Sequence, residues 1–160
     1  MTETTVPVSH VRVETAKDFV EVAAGLERQL GRFDAGVVRS LPADPEEAER
    51  RIGAMAGPGG FMLFGTMDHG ALLSLAGKPA RAVQYVVGNP LFAVQMTLHN
   101  VAAGLYAPLR LLVYEIGEGK TCLEYDRPSS LFGQFHNDRI TAVAEMLDRK
   151  LEELVAGAVR

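Results

Sequence analysis

The sequence predicts an α+β domain in which helices cover a mostly antiparallel sheet, and three observations carry that expectation. Five short runs rich in branched and aromatic residues are each bounded by turn formers, as strands are. Capping residues at helix starts stand between several of them. The chain closes on NDRITAVAEMLDRKLEELVAG, whose apolar residues recur at helical spacing.

HVRVET alternates and reads as the first strand. Thr15, with Asp18 three residues on, reads as a capping pair. Phe19, Val22, Ala23, Leu26 and Leu30 then mark a core-facing helix that Gly31 stops. Asp44-Pro45-Glu46-Glu47 places a capping carboxylate, a first-turn proline and two acids where a helix dipole favours them, so an extra short helix is expected near 44–56. Gly57-Pro58-Gly59-Gly60 breaks it. No GKS or GKT follows, and the loop leads into a strand, which argues against a phosphate loop.

Phe61 to Met67, Ala80 to Val87, Leu109 to Glu115 and Thr121 to Tyr125 read as four further strands. Gly117-Glu118-Gly119 is a hairpin signal that makes the last two antiparallel neighbours. Between the second and third of the four, Leu91, Val94, Leu98 and Val101 mark a crossover helix with a period near 3.6. In the closing helix Ile140, Val143, Leu147, Leu151 and Leu154 form one apolar stripe, with Asp148, Arg149, Lys150, Glu152 and Glu153 covering the rest.

A chain of 160 residues that is 48% apolar suits one domain spanning 1–160, with its core over 9–131 and the closing helix at about 137–156. The net charge of −4, with no dense run of Lys and Arg, offers neither nucleic acid nor a membrane surface an electrostatic footprint. MTETTVPVSH lacks the apolar core of a signal peptide, and no apolar run approaches the roughly 20 residues of a spanning helix. The expected setting is cytoplasmic. Cys122 is the sole cysteine, so no disulfide forms within the chain, and its place in KTCLEYD predicts a half-buried filler.

Few residues advertise chemistry. Gly88-Asn89-Pro90 is explained by backbone needs alone: Gly for a strand exit at positive φ, Asn as cap, Pro for the first turn. The same helix start could offer free N–H groups to an anionic or carbonyl-bearing ligand. Asp68 and His69 stand together at a strand end, as a cap and turn residue or as an acid/base pair. His69, His99 and His136 have no metal-binding spacing in sequence, and whether they converge is left to the fold. Tyr125, near the end of the last strand, either buries its ring or lines a pocket. Arg81 and Arg110 read as solvent-face residues, and no G-x-S-x-G elbow surrounds Ser129 or Ser130.

The segments FMLFGTMDHG, VVGNP, APLRLLVYE and CLEYDRPSSL, in that order, resemble the domain-of-unknown-function 302 family over roughly Gly60 to Leu131. The resemblance implies a β-α-β4-α sandwich similar to the helix-grip arrangement, a pocket between sheet and helices, and a tendency to form a homodimer. It marks Asp68, His69, Gly88, Asn89, Pro90, Pro108, Tyr125 and Pro128 as signature positions without assigning them roles. The chain departs from the pattern in its longer Phe33 to Gly59 segment, in Ala107 where the family often has Leu, and in its long closing helix.

The leading expectation is a small-molecule binding protein that holds an apolar or amphipathic ligand between sheet and helices. His69, Asn89 and Tyr125 would stand at the pocket mouth, with Asp68 and Gly88 beside them. An enzyme, or a metal or haem protein built on Asp68-His69, is the alternative, and the cofactor question is open. A structural dimerisation module presenting Leu151 and Leu154 is the third reading.

Overall fold

The computed structural model describes residues 1–40, 43–117 and 119–160 and, of Ser40, the backbone. Its strands are β1 (His10–Thr15), β2 (Gly31–Arg32), β3 (Met62–Asp68), β4 (Ala82–Gly88), β5 (Leu109–Gly117) and β6 (Lys120–Asp126). Its helices are α1 (Phe19–Glu27), α2 (Ala35–Ser40), α3 (Pro45–Ala54), α4 (His69–Leu72), α5 (Pro90–Thr97), α6 (Pro128–Phe132) and α7 (Asp138–Val159), with 3₁₀ turns at Leu73–Ala76, Val101–Tyr106 and Gly133–Phe135. The six strands form one sheet in the order β1-β6-β5-β4-β3-β2, antiparallel except for β2 beside β3. The expected α+β arrangement of helices over a mostly antiparallel sheet is the one observed. Glu118, the centre of the hairpin signal, lies outside the described residues; Gly117 and Gly119 flank it at φ 93° and 73°.

Alternation along the strands decides which face is covered. Tyr85, Val87, Leu109, Leu111, Val113, Leu123 and Tyr125 point to one face and are buried with Val22 and Leu26 of α1 and Ile140, Leu147, Leu151 and Leu154 of α7. Arg12, Gln84, Arg110, Leu112, Tyr114 and Glu124 point to the other, which among the described residues has no helical layer of comparable extent and keeps these residues exposed or half-exposed. A second, smaller core joins Val37, Ala48, Ile52 and Met62 under α2 and α3.

Several details differ from the sequence reading. Asp18, not Thr15, caps α1: its Oδ1 accepts from the Glu21 N–H at 2.9 Å, while the Thr15 hydroxyl accepts from Lys17. Gly31 does not stop that helix, which ends at Glu27, but opens β2. There a Cβ would fall 1.7 Å from the Met55 carbonyl oxygen, and one on Gly57 would fall 2.2 Å from that of Gln29. The Gly57-Pro58-Gly59-Gly60 break is thus a seam where two backbones touch. Helix α2 had no sequence signal. Asp148, expected on the solvent side of α7, is only 8% exposed. It accepts from the Ser129 N–H at 2.9 Å and the Ser129 hydroxyl at 2.5 Å, so α7 caps the start of α6.

The crossover helix stands where its period places it, but the periodic stripe is not its buried side. Val94, Leu98 and Val101 are 58%, 70% and 82% exposed, and Leu91 is half-buried. Met96 and Phe92 face inward instead.

Candidate functional site

At the Gly88-Asn89-Pro90 corner, β4 ends and α5 begins. Asn89 is extended (φ −147°, ψ 122°), as an N-cap residue should be, and its Oδ1 accepts from the Leu91 N–H at 2.9 Å. Its Nδ2 donates to the Gly60 carbonyl at 2.8 Å, tying the corner to the loop before β3. The Phe92 and Ala93 N–H groups both donate to the Asn89 carbonyl, at 3.0 and 3.1 Å, and Pro90 has no N–H. The donors that a helix start offers to a ligand are therefore already spent. Gly88 is not at positive φ, contrary to the sequence expectation. It is needed for close packing: a Cβ there would meet Pro108 Cβ at 3.3 Å and Phe64 Cε2 at 3.4 Å.

This corner forms one wall of a cleft of about 220 Å³ at the end of the sheet. Phe64 and Gly88 close it from the sheet, Phe92, Ala93 and Met96 from α5, Ala107, Pro108 and Leu109 from the approach to β5, and Phe132 and Leu147 from α6 and α7. Among the described residues that line it, Asn89 alone has a side chain that forms strong hydrogen bonds, and both ends of that amide are bonded within the fold. Lys150 lies behind Phe92, its ammonium 5.5 Å from the ring centroid and donating to the Gly59 carbonyl at 3.0 Å. Such walls suit an apolar guest and supply no acid, base or nucleophile.

Of the sequence-nominated residues, only Gly88 and Asn89 line this cleft. Asp68 and His69 sit at the opposite end of β3: Met62 is the residue of β3 opposite Gly88, whereas Asp68 lies opposite Val83. Six strand residues separate the ends by roughly 20 Å. Asp68 caps α4 by accepting from the Ala71 N–H at 2.8 Å, and His69 is exposed beside a depression on the uncovered face with Arg81, Tyr114 and Glu124. Tyr125 takes the core-side option, 4% exposed, and burial foremost, then Glu152, raises its phenol pKa. His99 and His136 border one shallow surface and His69 another, so the three do not converge. Among the described residues no three His, Cys, Asp or Glu side chains group closely enough to hold a metal ion.

The uncovered face carries its own polar network. His10 bridges Asp126 at 2.9 Å and Glu124 at 3.3 Å, chiefly the Asp126 bond raising the imidazole pKa. Tyr114 donates to Glu124 Oε1 at 2.7 Å; the bond raises the phenol and lowers the carboxyl. Cys122 is fully buried rather than half-buried, and Arg12 Nε donates to its sulfur at 3.3 Å.

The residues that sequence reasoning missed are the cleft walls: Phe64, Phe92, Met96, Phe132 and Leu147 carry no local motif. Outside the corner, the family resemblance marks the neighbouring walls Ala107 and Pro108, and helical periodicity marks Leu147 only as a core residue.

Comparison with known proteins places these features in a family context. The family model described as "Domain of unknown function DUF302" matches residues 37–158. A crystal structure of an uncharacterised conserved DUF302 protein from Bacillus stearothermophilus superposes with a TM-score of 0.66 at 20% identity, covering 94% of this chain and 98% of that one. At that identity the likeness speaks to fold. No curated protein matches the sequence. With a match over most of its length, this chain belongs to the DUF302 family.

Proposed function

We propose that this chain is a small-molecule binding protein whose cleft at the Gly88-Asn89-Pro90 corner holds a compact apolar ligand. The observation that carries the reading is the cleft itself: about 220 Å³ walled by Phe64, Phe92, Met96, Pro108, Phe132 and Leu147 between the sheet end and three helices. What sets this cleft apart is its lining, hydrocarbon apart from the Asn89 amide and the Met96 thioether, and walls of this kind suit an apolar guest. His69 and Tyr125, expected at its mouth, have no part in it. A crystal pressurised with xenon tests the reading directly: density is expected in the cleft, against Met96 and Leu147. A cleft without xenon refutes it.

A homodimer in the cytoplasm is the setting this reading favours. The lone reduced Cys122 suits a reducing compartment. Leu151 and Leu154 are buried in the core and cannot meet a partner. Among the exposed apolar side chains, this reading gives the partner Val94, Leu98, Val101 and Leu105, which follow one another along α5 and the turn after it and are each at least 58% exposed. Leu98→Glu is expected to lower the mass measured by light scattering from dimer to monomer; an unchanged dimer refutes this surface.

A further inference from the structure

Resting on the binding reading above, we infer that the cleft selects an electrically neutral molecule about the size of indole, and rejects an ionised one of the same shape. An enclosed apolar cavity of about 150 Å³ accommodates benzene, so the about 220 Å³ of this partly open cleft is enough to seat a somewhat larger ring system.

Neutrality follows from an inventory of partners. No Asp, Glu, Lys or Arg lies between Arg81 and Arg110, the stretch that supplies nine of the residues closing the cleft or its corner. Phe64, Phe132 and Leu147, from outside that stretch, are hydrocarbon. Helix α5 starts at the cleft, yet its first-turn donors are committed: Leu91 N–H to Asn89 Oδ1, Phe92 and Ala93 N–H to the Asn89 carbonyl. The Asn89 amide nitrogen holds Gly60, and the Lys150 ammonium holds Gly59 from behind Phe92. An ion entering would lose much of its hydration, and among the described residues no charged side chain lines the cleft to replace it. The depression across the Ala107-Pro108-Leu109 wall is different, for Arg110 and Asp126 border it. Charged ligands that bind there would leave Met96 undisturbed.

The test uses the whole chain with four probes: toluene, benzoate and benzylammonium, which are monosubstituted benzenes of similar shape, and indole as the larger neutral ring system. Titrations are followed through the Met96 methyl resonance, which reports the cleft without any mutation. Toluene and indole are expected to shift it saturably, with the two ions on the order of a hundredfold weaker. Ala93→Phe, which fills the cleft from α5, is expected to abolish the neutral shifts while the rest of the spectrum stays folded. Benzoate or benzylammonium shifting Met96 at the same concentrations as toluene overturns the neutrality inference and leaves the binding reading standing. A Met96 resonance that none of the four probes moves overturns both.

Discussion

Replacing Asn89 by Ala removes two bonds from one buried side chain, and the structure sets the expected cost. Loss of the cap to Leu91 N–H costs about 1 kcal/mol, as N-cap deletions typically do. Loss of the Nδ2 bond leaves the half-buried Gly60 carbonyl short of a donor, worth about a further 1–2 kcal/mol. The sum, about 2–3 kcal/mol, is a large part of the stability of an ordinary domain. With a urea m-value of roughly 2 kcal/mol/M, the unfolding midpoint should fall by about 1–1.5 M. Asn89→Ser separates the two contributions, since a serine hydroxyl can cap the helix and is too short to reach Gly60. It should lose about half as much. Urea titrations followed by circular dichroism give both numbers. An Asn89→Ala protein whose midpoint lies within about 0.2 M of wild type would refute the account of the corner as a backbone device.

The seam of backbone contact predicts that Gly57→Ala costs roughly 2–3 kcal/mol, because its Cβ must displace the Gln29 carbonyl; an unshifted melting temperature would contradict it. Asp148→Ala should cost about 2–3 kcal/mol by stranding the Ser129 N–H and hydroxyl, with Asp148→Asn clearly milder; equal losses in the two variants would show that the cap is not the cause. His10 gives a pH dependence of defined sign. Its folded pKa is raised above the ordinary value near 6.5, so its contribution is complete below that value and lost as pH rises through the folded pKa. Being largely exposed, the pair is worth at most about 1 kcal/mol. The stability gap between wild type and His10→Gln, measured by urea midpoints, should therefore be widest near pH 5.5 and close by about pH 9; a gap that widens with pH reverses the sign and refutes the assignment.

The elements were legible where a residue's local chemistry and its tertiary role coincide. Asp44-Pro45 caps α3, Asn89-Pro90 opens α5, and the Ile140-to-Leu154 stripe lies in the core because its opposite face is charged and has one way to turn. Legibility failed at α5 for the converse reason. Leu91, Phe92, Ala93, Val94, Met96 and Leu98 surround that helix with apolar side chains, so periodicity had no polar face against which to orient it. The stripe Leu91, Val94, Leu98, Val101 fitted a 3.6-residue period, and packing chose the Phe92 and Met96 side instead. Likewise Asp68-His69 and Asn89 were grouped by type, but β3 and β4 are antiparallel. The end of one strand therefore lies beside the start of the next, and two strand-end motifs fall at opposite edges of the sheet. The same two facts locate the candidate site. An α5 with no polar face has one apolar side left over after packing on the core, and that side is exposed at Val94 and Leu98. Its inner side meets the sheet where Gly88 has no side chain, and the contact there is incomplete: the cleft is the space between Phe92, Met96 and Leu147 that no residue fills. A helix that is apolar on both sides is what the proposed guest within and the proposed partner surface without would each require, so Ala93→Phe and Leu98→Glu test its two sides separately.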